Sequence, residues 1–189
     1  MKVLNLHIKN MVCPRCIKVV SDELKALGAD VLHVELGYAS IKFPASEIQI
    51  NRISEVLEKQ GFELLEDENS MLLENIRINL IAYLAHIENN KEFESLSIFL
   101  GRKIGKNYSL LSKHFSRGML KTIEKHFIHL KIERVKELLD YNELTLSQIA
   151  SRLGYNNVHY LSTQFKKVVG ESVTAYKKGM PKRKSLDKL

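Results

Sequence analysis

Two cysteines stand three residues apart near the start of the sequence, in the unit Cys13-Pro14-Arg15-Cys16. On a loop that leads into a helix, this spacing lets both sulfur atoms face one ion. The helix N-terminus and Arg15 lower the thiol pKa and favour the thiolates that bind soft metals. No Asp, Glu or His stands in this loop, and two thiolates alone suit linear Cu(I) best. We therefore expect Cu(I) at Cys13 and Cys16. Zn(II) is less favoured because it normally takes four ligands, which would require His7 or a second subunit.

The elements on either side of the cysteines are predicted from the spacing of apolar residues. Leu4, Leu6 and Ile8 alternate with polar residues, which indicates a half-buried strand. A helix then begins at Pro14, since a proline fits the first turn of a helix. Its inward positions recur at helical spacing and are Ile17, Val20, Leu24 and Leu27. The cysteines therefore lie where the first strand meets the first helix.

The rest of residues 1–69 completes a small domain. Val31 to Leu36 and Ser40 to Phe43 form a predicted hairpin around Gly37. A second helix opens at Ser46, and the strand Phe62 to Leu65 follows it. The inward residues of this helix are Ile50, Ile53 and Leu57. The order βαββαβ predicts an α+β, ferredoxin-like sandwich with two helices on one face of an antiparallel sheet.

These residues also carry a family resemblance. Met11, Cys13 and Cys16 match the pattern Met-x-Cys-x-x-Cys, and Gly61-Phe62 matches a Gly-aromatic pair. In both respects residues 1–69 resemble the heavy-metal-associated domain of copper chaperones and metal-exporting ATPases. The resemblance implies that the cysteines bind the metal, and that Met11 is a buried packing residue.

Two other interpretations of the cysteine pair stay open. A thioredoxin-type redox pair would need a βαβ unit in a longer sheet and a partner cis-proline, for which Pro44 is the available residue. Alternatively, the domain keeps its fold merely to dimerise, with the cysteines idle. We favour metal or thiol sensing over both.

The charge of the chain is unevenly distributed. The net charge is +7 overall, but residues 1–69 sum to −3 and residues 70–189 to +10. The second part is therefore the expected binder of a polyanion such as DNA.

A helix-turn-helix pattern occurs twice in the basic part. From Leu144 to Gly170, two short helices flank Gly154, with Thr145 or Ser147 as the first cap and Asn156 or Asn157 opening the second helix. Leu96 to Met119 repeats this pattern: a small residue, a turn glycine and Leu-Ser-x-x-Phe recur at a 50-residue offset. A helix over Thr122 to Leu139 connects the two units, and we expect Lys131, Arg134 and Lys136 on its outer face. Before the first of these units, a further helix is predicted to begin at Ser70 and to end at Asn89-Asn90.

Amides and hydroxyls on the outer face of a recognition helix can read base edges, and basic side chains neutralise phosphates. The candidate base-reading residues are Asn107, Tyr108, Ser109, Ser112, Lys113, Asn157, His159, Tyr160, Thr163 and Gln164. The candidate phosphate contacts are Arg102, Lys106, Arg117, Lys121, Arg152, Lys166 and Lys167.

The basic part resembles the AraC/XylS family of bacterial transcription regulators. The matching runs are Arg134 to Leu139, Leu146-Ser147-Gln148-Ile149-Ala150, Leu153-Gly154-Tyr155, Phe165-Lys166-Lys167, Gly170-Glu171-Ser172 and Tyr176. The resemblance implies seven helices that hold two helix-turn-helix units, and promoter binding that usually activates transcription. We expect double-stranded DNA, RNA polymerase and a second copy of the chain as partners.

We therefore divide the chain into three parts: a sensor domain of residues 1–69, an all-α DNA-binding domain of residues 70–178, and a basic disordered tail of residues 179–189. The sequence has no apolar run of about 18 residues and no signal-peptide pattern, so we expect a cytoplasmic protein that does not bind membranes. It shows no catalytic constellation, so we expect no enzyme. Two alternative functions are a metal chaperone or thiol–disulfide carrier, and a constitutive regulator whose N-terminal domain only dimerises.

Overall fold

A computed structural model describes residues 2–43, 50–90 and 92–179. The chain forms two compact units, Met1–Ile78 and Asn79–Leu189. Their boundary falls within helix α3 (Glu68–Asn89), which begins close to the predicted Ser70. Two predictions lie outside the described residues: the opening of a helix at Ser46, and disorder in residues 180–189.

The first unit has the predicted order strand, helix, strand, strand, helix, strand, and its sheet is antiparallel with strand order β2-β3-β1-β4. The helices and strands are β1 (Lys2–Lys9), α1 (Pro14–Ala26), β2 (Asp30–Glu35), β3 (Tyr38–Phe43), α2 (Ile50–Lys59) and β4 (Glu63–Leu65). The central strand β1 pairs with β3 on one side and with β4 on the other. The cysteine loop therefore follows directly from the middle of the sheet.

The core of the first unit lies between the sheet and its two helices. Leu6 pairs with Ala39 in the register of β1 and β3, and both are buried. The helices contribute the buried residues Val20, Leu24, Ile53 and Leu57. The prediction that Ile50 faces inward is wrong, because this residue is 45% exposed. Ile50 is the first described residue of α2, and the buried residues of this helix are Ile53 and Leu57.

The hairpin between β2 and β3 requires glycine at position 37. Gly37 has φ +80, a conformation that costs other residues about 1–2 kcal/mol. A Cβ atom there would lie 2.2 Å from Ile78 Cδ1, and the Gly37 carbonyl accepts a hydrogen bond from Ile8 N at 2.9 Å. The turn is thus fixed both by its backbone and by the first half of α3.

The regular elements of the second unit are all helices within the residues that the structure describes. Besides the last part of α3, it contains α4 (Leu96–Ile104), α5 (Tyr108–Met119), α6 (Ile123–Tyr141), α7 (Leu146–Arg152), α8 (Val158–Val169) and α9 (Val173–Lys178). The described part of residues 70–178 thus contains the seven predicted helices, counting α3. Helix α6 is the predicted connector, and ten of its residues are buried.

Charged side chains lie inside this helical unit. Lys136 was predicted to face outward, and this is wrong: it is 5% exposed and donates to buried Glu133 at 2.7 Å. On the same helix, the guanidinium of Arg134 makes a two-pronged contact with Glu88, at 2.7 and 2.8 Å. Helix α6 is therefore covered on more sides than a simple amphipathic pattern predicts.

Candidate nucleic-acid interface and cysteine pair

The second helix-turn-helix unit is built by short-range contacts around a tight turn. Thr145 caps α7 in a capping box with Gln148, so Thr145 and not Ser147 is the cap. Gly154 has φ +64, and a Cβ atom there would lie 2.7 Å from Phe93 Cζ. The chain turns back sharply here, and Tyr155 N donates to the Ala150 carbonyl at 2.9 Å. Asn157 then caps α8 by accepting from Tyr160 N at 2.8 Å.

The first helix-turn-helix unit repeats this construction with α4 and α5. Gly105 ends α4 in the left-handed conformation, and Asn107 caps α5 by accepting from Ser109 N at 2.8 Å. Leu111 and Phe115 are fully buried, as are Leu161 and Phe165 in the second helix-turn-helix unit. The repeat predicted from the sequence is therefore a structural repeat.

The candidate base-reading residues of the first helix-turn-helix unit have unequal access to solvent. Asn107, Ser109 and Lys113 are exposed, whereas Ser112 is half-buried. Tyr108 is also half-buried, and its hydroxyl donates a short hydrogen bond to the Glu124 carboxylate. Burial and this neighbouring carboxylate raise the pKa of Tyr108 well above its ordinary value. The Tyr108 ring is thus held against α6.

In the second helix-turn-helix unit, most candidate base-reading residues lie on the outer face of α8. Asn157, His159, Tyr160 and Thr163 are exposed. Gln164 is half-buried, and its side-chain carbonyl accepts a hydrogen bond from the Tyr155 hydroxyl at 2.8 Å. This contact was not predicted, because nothing in the sequence shows that Tyr155 returns beneath α8.

A groove runs along α8 beside the first half of α6. It encloses about 480 Å³ and has a mainly apolar lining with basic groups. The lining residues are Lys125, Ile128, His129, Tyr160, Thr163, Gln164, Lys167 and Val168. Four of these residues were predicted DNA contacts, whereas the α6 residues were missed because the connector helix was treated as a spacer.

The candidate phosphate contacts fall into two groups. Lys106, Arg117, Lys166 and Lys167 are exposed, and Lys121 is half-buried. The two remaining arginines are ion-paired: Arg102 contacts Glu94, and Arg152 Nε lies 3.2 Å from Glu88 Oε2. Their side chains still expose 56% and 43% of their area, so each can reach a phosphate only by leaving or sharing its carboxylate.

The structure brings Cys13 and Cys16 together. Cys13 occupies the N-cap position of α1 without a side-chain capping bond, Cys16 lies in the first turn, and their Sγ atoms are 3.5 Å apart. Burial raises the pKa of Cys13, but hydrogen bonds from Cys16 and Arg15 and the Arg15 charge outweigh it, so the net shift is downward. Burial and the neighbouring Cys13 raise the pKa of Cys16. Cys13 is therefore the thiol that ionises first.

The donor set fits a soft, two-coordinate metal better than zinc. Within residues 2–43, 50–90 and 92–179, no group of three or more Cys, His, Asp or Glu side chains is arranged to hold a metal ion. His7 instead packs edge-on against the Tyr38 ring, with 5.6 Å between ring centroids. Two thiolates without a third ligand satisfy Cu(I), whereas Zn(II) would need ligands from elsewhere.

The loop before the cysteines is held from two sides. Asn10 has φ +72, unusual for a residue other than glycine, and its side-chain amide donates to the Gly61 carbonyl at 3.1 Å. Its backbone N–H donates to Glu74 Oε1 at 2.9 Å. Met11 is fully buried, as the resemblance implied. The cysteine loop thus starts from a fixed position.

Comparison with known proteins identifies the helical part. Residues 100–179 match the family model described as "Helix-turn-helix domain". The matched residues include the end of α4 and all of α5 to α9. No helix among the described residues is both long and apolar enough to span a membrane.

Two curated relatives align with this chain. The MmsAB operon regulatory protein of Pseudomonas aeruginosa is 33% identical over 104 residues, which are 52% of this chain and 31% of the relative. An uncharacterized HTH-type transcriptional regulator in the cgkA 5'region of Pseudoalteromonas carrageenovora is 34% identical over 85 residues, 44% of this chain and 49% of the relative. The chain thus spans half or less of the length of these relatives.

A solved structure also aligns with the chain. The C-terminal domain of AraT, a response regulator from Geobacillus stearothermophilus, superposes with a TM-score of 0.48 and 22% identity. The alignment covers 63% of this chain and 92% of that domain.

Proposed function

Because residues 100–179 form a helix-turn-helix domain, we propose that this chain is a sequence-specific, DNA-binding transcriptional regulator of the AraC type. The observation that carries the proposal is the repetition of one capped helix pair, α4–α5 and α7–α8, with polar side chains on the outer face of each second helix. Two such helix pairs in one domain can enter successive major grooves of DNA, which are about 34 Å apart.

The charges of the second unit support this proposal. The exposed lysines Lys106, Lys166 and Lys167 lie in or beside the two helix pairs, where they can neutralise phosphates. The names of two aligned relatives, an operon regulatory protein and an HTH-type transcriptional regulator, support the same class of function. Double-stranded DNA is thus the proposed partner, and RNA polymerase and a second copy of the chain are proposed as further partners.

The test is selection of bound sequences from a random duplex library by the full chain, followed by affinity measurements at several salt concentrations. We expect one enriched motif. Reversing two charges on α8, Lys166→Glu with Lys167→Glu, should weaken binding and reduce the salt slope by about 2.

A matched control reverses two exposed lysines of α1, Lys18→Glu with Lys25→Glu, which gives the same change in net charge. The control should retain the motif and nearly all affinity. Equal losses in the two variants would mean that binding follows net charge and not the helix pairs.

We further propose that residues 1–69 are a ferredoxin-like, heavy-metal-associated sensor that binds a soft metal, Cu(I) first, through Cys13 and Cys16. The close sulfur pair at a helix N-terminus and the lowered pKa of Cys13 support this proposal. Binding of Cu(I) between two neutral thiols would release both thiol protons, so the loop would gain one negative charge. In this proposal, that change alters dimerisation or DNA affinity.

Competition between the reduced protein and a chromophoric Cu(I) chelator tests the metal proposal directly. We expect one equivalent of Cu(I) to be withdrawn from the chelator, with ultraviolet absorption from thiolate-to-copper charge transfer. Cys13→Ser and Cys16→Ser should each abolish both signals, and Ser21→Ala on the same helix should change neither.

The two alternative functions predict different DNA results. A chaperone or thiol–disulfide carrier would pass copper or electrons to an acceptor without selecting a DNA sequence. A constitutive regulator would select the same sequence with equal affinity in the apo, copper-loaded and oxidised states.

A further inference from the structure

The turn residue Tyr155 touches one of the candidate base-reading side chains. It follows Gly154 in the second helix-turn-helix unit and is 7% exposed. Its hydroxyl donates to Gln164 Oε1, on the second turn of α8, at 2.8 Å. A buried residue of the turn is therefore bonded to the polar end of a recognition-helix residue.

Tyr155 is held in place by its surroundings. Lys131 Nζ lies 3.6 Å from the centroid of the Tyr155 ring, a cation–π contact from the connector helix. The Tyr160 ring packs at 6.2 Å between centroids, and Tyr155 N bonds to the Ala150 carbonyl. Burial raises the pKa of Tyr155, so its hydroxyl keeps its proton and remains a donor. The hydroxyl is thus a fixed hydrogen-bond donor beneath α8.

This contact decides which end of the Gln164 amide faces outward. A glutamine amide carries a carbonyl acceptor on one side and an NH₂ donor on the other. A freely rotating glutamine can pair with adenine by using both groups, accepting from N6 and donating to N7. Here the carbonyl is turned toward Tyr155. The two N–H donors of Nε2 are left for a ligand at the protein groove along α8, which Gln164 lines.

We propose that Tyr155 is a positioning residue for DNA specificity, which holds the Gln164 amide with its NH₂ group toward the major groove so that α8 selects guanine. Guanine offers two acceptors, O6 and N7, at the edge that this donor pair meets. The inference rests on the proposed DNA-binding function, and it concerns one base pair of the recognised sequence.

Selection from a random duplex library with the full chain and three variants tests this role. The wild type should enrich guanine at one position, and Gln164→Ala should lose the preference there. Tyr155→Phe keeps the buried ring but frees the amide, so the guanine-to-adenine ratio at that position should fall by about fivefold or more. Tyr141→Phe, which removes an exposed hydroxyl near the end of α6, should change nothing.

An unchanged guanine preference in Tyr155→Phe, together with its loss in Gln164→Ala, would overturn the positioning role. A wild-type preference that survives Gln164→Ala would overturn the role of Gln164 itself. Thermal unfolding of each variant monitors the fold, since Tyr155→Phe leaves the ring packing in place.

A second measurement needs no DNA. The side-chain NH₂ resonances of Gln164 in the nitrogen-15-labelled full chain should be sharp and resolved in the wild type, and motionally averaged in Tyr155→Phe. If the wild type selects a sequence while its Gln164 amide is already averaged, the positioning role alone is wrong. If the wild type selects no sequence at all, the proposed function and the specificity role fail together.

Discussion

The backbone N–H of Asn10 donates a hydrogen bond to the carboxylate of Glu74, 64 residues further along the chain, at 2.9 Å. Glu74 is 5% exposed and also accepts from Arg77 at 2.8 Å. One buried carboxylate thus fixes the residue that opens the cysteine loop and an arginine on its own helix. The position of the loop therefore depends on α3 as well as on the sheet.

Glu74→Ala should destabilise the first unit by about 3 kcal/mol, because it leaves the buried Arg77 charge and the Asn10 N–H without this acceptor. Hydrogen exchange of the β1 and β4 amides in increasing urea measures this unit by itself, since a chain of two units is unsuited to a single two-state fit. Glu68→Ala, an exposed change on the same helix, serves as the control. Equal protection in the two variants would contradict the assigned contact.

Lys131 should make the stability of the helical unit depend on pH. Burial lowers its pKa from an ordinary 10.5 to about 8, so between these values the unfolded chain holds a proton that the folded chain has lost. The free energy of unfolding should therefore rise from pH 8 to pH 10.5, relative to Lys131→Met, by on the order of 1–3 kcal/mol. Parallel pH profiles of wild type and variant would show that the ammonium is not buried.

The Glu133–Lys136 pair should behave as a buried ion pair. Lys136→Met alone should cost about 3–5 kcal/mol, because it removes the ammonium that faces a buried carboxylate. The double variant Glu133→Leu with Lys136→Met should recover most of that loss in urea unfolding. The exposed Lys9–Glu63 pair offers a comparison, with an expected coupling of about 1 kcal/mol or less. A similarly small coupling for Glu133 and Lys136 would contradict their burial.

Leu120 ends α5 in a conformation that leucine tolerates poorly. Its φ is 54, and its side chain is 92% exposed, so no packing offsets the strain. Leu120→Gly relieves this strain but also adds entropy to the unfolded chain. The net effect should be a rise of about 0.5–1 kcal/mol in the free energy of unfolding. Asn142→Gly at φ 53 is the matched control, and it should gain less because asparagine tolerates this region. Equal changes in thermal unfolding would remove strain as the explanation.

Local patterns predicted most helices and strands correctly. Alternation in β1, the proline that opens α1 and the turn glycines at positions 37 and 154 each reflect constraints that act over a few residues. The repeat of the helix pair was also visible, because turn glycines and buried Leu and Phe recur at fixed spacing.

The burial and hydrogen bonding of individual polar side chains were not predictable from these patterns. Lys136 was assigned to a solvated face because lysine usually is, yet a partner three residues away allows its burial. The Tyr155–Gln164 hydrogen bond depends on how the turn returns beneath α8, and the Asn10–Glu74 bond on how α3 packs against the loop. The last two hydrogen bonds join residues whose spacing in the sequence carries no periodic signal.

Hydroxyl-radical footprinting of the full chain on its selected duplex tests the central claim most directly, since it reports where each helix pair lies. We predict two protected segments on one face of the duplex, about one helical turn apart. Charge reversal at Lys166 and Lys167 should remove one of them, and reversal at Lys106 and Lys113 should remove the other. Uniform protection that moves with salt concentration but not with sequence would contradict the account.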